Sequence, residues 1–217
     1  TIDKPGTYTL LVSNTVNNCS ATASVTVQDD HTAPTAAANA PGVINCKSSS
    51  VTLSGNGATQ GAHIAYQWTS DASGHIVSGN STLAPMVDQP GLYTLLVTNT
   101  ENGCTATAAT TVLMDKSAPT VQTEPAPQLN CQLNSLQLQG TAQGVHLIYS
   151  WIATNGGNIV SGNNTLTPMI DQPGAYELLV TNTQNSCTAT ASIVVSRDIT
   201  LPVAAVTPPP PLNCAVN

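Results

Sequence analysis

Six cysteines, four histidines and eleven carboxylate side chains are the groups in this 217-residue sequence that could do chemistry. The cysteines fall into two sets with one spacing. Cys19, Cys104 and Cys187 are 85 and then 83 residues apart, and Cys46, Cys131 and Cys214 repeat those intervals. No Cys-x-x-Cys occurs, so the usual zinc and dithiol signatures are missing. His63 and His146 hold equivalent places, just ahead of Tyr66-Gln-Trp68 and Tyr149-Ser-Trp151. Neither has a second His or Cys at ligand spacing. Each is expected to be a half-exposed strand residue at the end of a domain. A phosphate-cradling glycine loop, a Gly-x-Ser-x-Gly turn and a His-Glu-x-x-His helix are also missing from the sequence. With no nucleophile–base pair to read, the sequence predicts no enzymatic activity, no catalytic residue and no cofactor.

The aspartates allow one further kind of chemistry. Asp88 and Asp171 recur in Met86-Val-Asp-Gln-Pro-Gly91 and Met169-Ile-Asp-Gln-Pro-Gly174, while Asp115 and Asp198 end the strands that follow. In a sandwich each pair would meet at one pole, where carboxylates and carbonyls suit calcium. Two acidic ligands are fewer than a tight site takes. The competing expectation is that Asp88 bonds the backbone of its corner and Asp115 punctuates a linker. A Lys–Asn isopeptide crosslink is excluded, because Gln89 and Gln172 replace Lys4 in the sister repeats and Gln132 replaces Lys47.

Composition removes other classes of function. Charged residues make up 7 % of the chain, against about a quarter in an ordinary domain. Four Lys and Arg stand against eleven Asp and Glu, for a net charge of −7. Nucleic acid or an anionic membrane surface would demand clustered cations. No apolar run approaches the ~18 residues of a membrane span. Apolar residues at 41 % suffice for packed cores.

The elements that position these residues are repeats. Thr1-Ile-Asp-Lys-Pro-Gly-Thr-Tyr8, Met86-Val-Asp-Gln-Pro-Gly-Leu-Tyr93 and Met169-Ile-Asp-Gln-Pro-Gly-Ala-Tyr176 align, and in each Leu-Val and then Cys-x-Ala-Thr-Ala or its near equivalent follow. The period predicts complete domains at 32–116 and 117–199, the C-terminal part of a domain at 1–31, and the N-terminal strand of another at 200–217. The expected parent chain therefore continues on both sides.

Within one repeat the pattern is all strand. Strands are expected at Ser49–Gly55, Ile64–Thr69, His75–Ser78, Thr82–Val87, Tyr93–Asn99 and Cys104–Met114, with a hairpin turn at Thr100–Gly103. A Trp on the third strand (Trp68, Trp151) and a Tyr opening the sixth (Tyr93, Tyr176) point to an all-β chain of tandem immunoglobulin-like β-sandwiches. Leu95 and Leu178 stand where antibody domains carry the second Cys of their inter-sheet disulfide. The predicted core is Leu53, Trp68, Tyr93 and Val97, then Leu138, Trp151, Tyr176 and Val180. Short Pro-containing linkers at Pro34 and Pro119 predict an extended array with limited bending.

The combination of Asn45-Cys46, Tyr-x-Trp, Pro-Gly-x-Tyr-x-Leu-x-Val and Asn-Gly-Cys-Thr-Ala-Thr resembles the Ig-like repeats of giant secreted Bacteroidota surface adhesins and filamentous appendage proteins. That resemblance implies a bacterial, extracellular, cell-surface protein with a structural role as a stalk, fibre or filament used in adhesion. Its partners would be neighbouring domains of the same chain and identical chains in a bundle. The alternative is an adhesin repeat that contacts a cell surface or polysaccharide through loops such as Gly57–Gly61. The matching loop Gly140–Gly144 is nearly identical, which favours the structural role, since recognition loops tend to diverge.

Strand order also bears on the cysteines. Cys104 follows the last hairpin and is expected at the N-terminal pole of its domain, whereas Cys46 precedes the second strand at the C-terminal pole. An internal Cys46–Cys104 bond would have to cross about 20 Å at ~3.3 Å per residue, while a disulfide holds its Cα atoms within ~7 Å. Cys46–Cys187, between domains, is the expected disulfide. Cys46–Cys104 with Cys131–Cys187, or free thiols, remain the alternatives.

Overall fold

The computed structural model describes residues 1–209, and every regular element among them is a β-strand. The chain divides into two compact units, Thr1–Asp115 and Lys116–Asn217. The first unit opens with a two-stranded hairpin, β1 (Gly6–Ser13) and β2 (Ser20–Val27), in the register Tyr8↔Val25. Eight further strands follow: β3 (Ile44–Asn45), β4 (Val51–Thr52), β5 (Ile64–Ser70), β6 (Ile76–Ser78), β7 (Met86–Val87), β8 (Gly91–Asn99), β9 (Thr105–Val112) and β10 (Met114–Asp115). One sheet has the order β5-β8-β9 and the other β4-β7-β6. An Asn39↔Ser54 bridge adds the first segment to the second sheet. β3 then leaves that sheet and pairs in parallel with β10. This is the three-on-four strand order of an immunoglobulin-like sandwich.

The second unit repeats it with β11 (Thr120–Thr123), β12 (Leu136–Gln137), β13 (Gly140–Gln143), β14 (Leu147–Thr154), β15 (Ile159–Ser161), β16 (Met169–Ile170), β17 (Gly174–Asn182) and β18 (Thr188–Val195). Its sheets are β14-β17-β18 and β12-β16-β15, with β11 paired to β13. The chain is therefore all-β, with tandem Ig-like sandwiches. Residues 200–209 form no strand, and the rest of the segment expected as a strand at 200–217 lies outside the described residues.

Period-2 alternation decides which side of each strand is buried. In β8, Tyr93, Leu95 and Val97 point inward and are fully buried, while Leu92, just ahead of them on the other face, is 45 % exposed. Their cross-strand partners include Trp68, opposite Leu95. All eight residues expected in the two cores are buried. Each core has its own cluster, around Trp68 in the first unit and Trp151 in the second. Full burial of a Leu or Val contributes about 1.5–3 kcal/mol, so three inward residues of one strand anchor the sheet to its partner. Leu95 and Leu178, with no exposure, fill the space that a sulfur bridge occupies in antibody domains.

Two elements are much shorter than expected. Of Ser49–Gly55 only Val51–Thr52 is regular strand. Of Thr82–Val87 only Met86–Val87 is regular strand. Thr82 turns back instead, its N–H and hydroxyl both donating to the Gly79 carbonyl, and Pro85 has no N–H to give a ladder. The carbonyls of Leu83 and Pro85 still accept from Gly55 and Leu53.

Candidate functional site

The most repeated local structure is the corner before the sixth strand. The Tyr93 hydroxyl donates to the Gln89 carbonyl at 2.7 Å, Tyr8 donates to Lys4 at 2.8 Å, and Tyr176 donates to Gln172. In each case the acceptor is the backbone four residues upstream, which is why Lys and Gln interchange there freely. The Tyr93 oxygen also accepts from His75 N–H, and that of Tyr176 from Asn158 N–H. Burial raises the Tyr93 and Tyr176 hydroxyls above the ordinary value near 10, while those donated N–H bonds pull the other way. In the two later corners the Gly after the Pro is fixed by space. A Cβ on Gly91 would lie 2.9 Å from Gly74 N, and one on Gly174 would lie 2.3 Å from Gly157 N.

The first corner has a carboxylate clamp, and its residue is Asp71, not Asp88. Asp71 accepts from Leu92, Gly74 and Ser73 N–H groups at 3.1, 2.9 and 3.1 Å. The Leu92 bond above all, then those of Gly74 and Ser73, holds its carboxyl below the usual range. Thr154 stands at this place in the second unit. An Asp that caps a turn two and three residues on is the sequence signal that would have found it.

The four calcium candidates make different contacts. Asp88 Oδ1 lies 2.7 Å from His75 Nδ1. Asp171 Oδ1 accepts from Asn158 Nδ2 at 2.8 Å, and the Asp171 carbonyl accepts from Arg197. Asp115 pairs with Asn45 in the parallel β10–β3 ladder. Asp198 caps the Thr200 N–H, which lowers its carboxyl, and its own N–H donates to Leu129. Among the described residues no three His, Cys, Asp or Glu side chains gather closely enough to hold a metal. His63 and His146 are not strand residues. Both are exposed in the bend ahead of the third strand, His146 with φ +54°. Their carbonyls accept from Thr100 and Thr183 of the last hairpin.

Each unit marks its N-terminal pole in the same way. Asn102 Nδ2 donates to the Thr32 carbonyl at 3.0 Å, and Asn185 Nδ2 to that of Ser117 at 2.9 Å. The side-chain oxygens of these asparagines accept from the N–H groups of Cys104 and Cys187, both at 2.9 Å. Cys46 follows Asn45, the partner of Asp115 at the far end of the last strand. The eight residues of β9 separate the two poles, about 25 Å at ~3.3 Å each. Cys46 and Cys187 are each disulfide-bonded, whereas Cys19, Cys104 and Cys131 carry free thiols. Neither Cys46–Cys104 nor Cys131–Cys187 is therefore formed, because the length of the last strand keeps those pairs apart. Cys214 lies outside the described residues.

No family model and no curated protein matches the sequence. Solved structures match by fold. The PKD domain of human KIAA0319 is 12 % identical over 42 % of this chain and 89 % of its own, with a TM-score of 0.34. An I-band fragment of titin is 10 % identical over 69 % and 59 %, at 0.36. Three N-terminal domains of the outer capsid protein Hoc of bacteriophage RB49 are 18 % identical over 76 % and 59 %, at 0.39. The chain thus spans 59 % of the titin and phage structures. The Ig-like assignment rests on the strand order itself. Among the described residues no helix is long and apolar enough to cross a membrane.

Proposed function

We propose that this chain is a structural repeat segment of a very large secreted bacterial surface protein, of the kind its motifs resemble, forming a stalk, fibre or filament used in adhesion. One observation carries the reading: the two units repeat the same set of framework hydrogen bonds. The corner Tyr, the Trp Nε1 bond to Thr82 or Thr165 at 2.9 Å, and the Asn bond to the N-terminal carbonyl all recur. A recognition surface would differ in sequence between units, and the Gly57–Gly61 and Gly140–Gly144 segments barely do, although the expected second loop is instead largely strand β13, Gly140–Gln143. With 7 % charged residues, identical chains also repel each other little when side by side. Electron microscopy of the native assembly tests it. A multi-chain fibre with a regular repeat is expected. Single tethered chains with decorated tips would replace this reading with a ligand-binding adhesin.

A further inference from the structure

Cys46 and Cys187 are disulfide-bonded, yet their counterparts one repeat away, Cys131 and Cys104, are free. The local structure around each pair of counterparts is the same. Asn45 and Asn130 both accept, through Oδ1, from the two N–H groups that flank the next turn. Asn102 and Asn185 both accept from the N–H of the cysteine two residues on. A bond internal to a repeat would be made in both repeats or in neither. The oxidised and reduced sites alternate, and that asymmetry fits only a bond whose two halves come from different repeats. Among the described residues Cys19, Cys104 and Cys131 are free, which leaves the two bonded cysteines, Cys46 and Cys187, to each other.

We propose that Cys46–Cys187 is one rung of a covalent ladder in which the early cysteine of every repeat bonds the hairpin cysteine of the next. The proposal rests on the structural-repeat reading and names what bears its load. Cys104 and Cys131 are then attachment thiols for whichever repeat is joined on either side. Forming a rung removes two protons and two electrons from two thiols. A disulfide-donating oxidant, a disulfide oxidase or an oxidised small thiol, takes them up and leaves as its dithiol form. Successive rungs overlap, because the early cysteine of the second repeat, Cys131, lies inside the loop that Cys46 and Cys187 close. Tension entering at Cys46 passes through sulfur to Cys187. Residues 47–186, a span of 140 (186 − 46), bear none of it. At ~3.4 Å per extended residue that hides about 480 Å of contour.

Digestion of the thiol-blocked chain without reductant, followed by mass spectrometry, tests the rung. One crosslinked peptide pair containing Cys46 and Cys187 is expected, with Cys19, Cys104 and Cys131 alkylated. Peptides joining Cys46 to Cys104 or Cys131 to Cys187, or an alkylated Cys46, would overturn it. The ladder is tested by lengthening the chain with a second copy of residues 117–199 after residue 199. Cys131 should pass from alkylated to crosslinked while Cys104 stays alkylated. An unchanged Cys131 would refute the ladder. Single-molecule pulling on the full 217-residue chain should release about 480 Å more on adding reductant, or in Cys46→Ser, than when oxidised. Equal extension in both states would refute the load path. A regular fibre with an alkylated Cys46 would remove the ladder and keep the filament. A crosslinked Cys46 on single tethered chains would do the reverse.

Discussion

Ser186 adopts φ +59° in the last hairpin of the second unit, at the place that Gly103 holds at +75° and Asn18 at +55°. A left-handed backbone costs a residue with a Cβ about 1–2 kcal/mol, and glycine almost nothing. Ser186→Gly should therefore raise the stability of the second unit by about 0.5–1 kcal/mol once glycine's greater freedom in the unfolded chain is deducted. Chemical denaturation followed by Trp151 fluorescence measures it, and a loss of stability would mean that the Ser186 side chain makes a bond worth more than the strain. The sequence showed the turn, because Asn-Gly-Cys and its variants repeat. It did not show the strain, because Ser at this place reads as an ordinary polar turn residue. At the first corner the same kind of ambiguity misled. Asp88 sits beside Pro90-Gly91 in sequence, but it is Asp71, seventeen residues earlier, that clamps the backbone, since β5 and β8 are neighbours in the sheet. Proximity across a sheet is invisible to spacing along the chain.

At the scale of the element, the third strand is held at both faces of its Trp. Trp68 N–H donates to Asn80 at 2.7 Å, and its indole Nε1 donates to Thr82 at 2.9 Å. Trp151 does the same with Asn163 and Thr165. The Ser78-Gly79-Asn80 and Ser161-Gly162-Asn163 turns thereby lock onto the opposite sheet, with Gly79 and Gly162 both at φ +74°. Trp68→Phe keeps most of the buried ring and deletes the indole donor, leaving the Thr82 carbonyl unpaired. A loss of about 1–3 kcal/mol is expected, against about 3–5 kcal/mol for Trp68→Ala. Urea titrations of the two variants give the difference. If they were equally unstable, the bond to Thr82 would count for as much as the ring. The long strands, their inward residues and the Trp and Tyr placements were legible, because period-2 burial writes itself into sequence. The irregular Thr82–Pro85 segment was not. Its alternation is strand-like, and the turn is made by Thr82 reaching back to Gly79, a bond that competes locally with the ladder.

On the scale of the whole molecule, two units of one fold differ chiefly in their few charges, and acid should separate them. Asp71 clamps the corner of the first unit with its carboxyl held below the usual range by three N–H groups. Thr154 takes its place in the second. Each unit has one further lowered carboxyl next to a linker, Asp30 bonded to Thr32 and Asp198 bonded to Thr200, so those two roughly offset each other in the comparison. A carboxylate whose folded pKa lies below its unfolded value, near 3.9, stabilises fully above that value. The contribution fades as pH falls through the ordinary range to the folded pKa. The first unit should therefore lose melting temperature faster than the second between pH 6 and pH 2.5. In reduced chain, so that no crosslink couples the units, Trp68 in Trp151→Phe reports the first transition and Trp151 in Trp68→Phe the second. Asp71→Thr, which copies the second unit into the first, should bring the two acid slopes together without altering the slope of the second unit. Parallel slopes in the parent chain would show that the corner clamp carries no net stability.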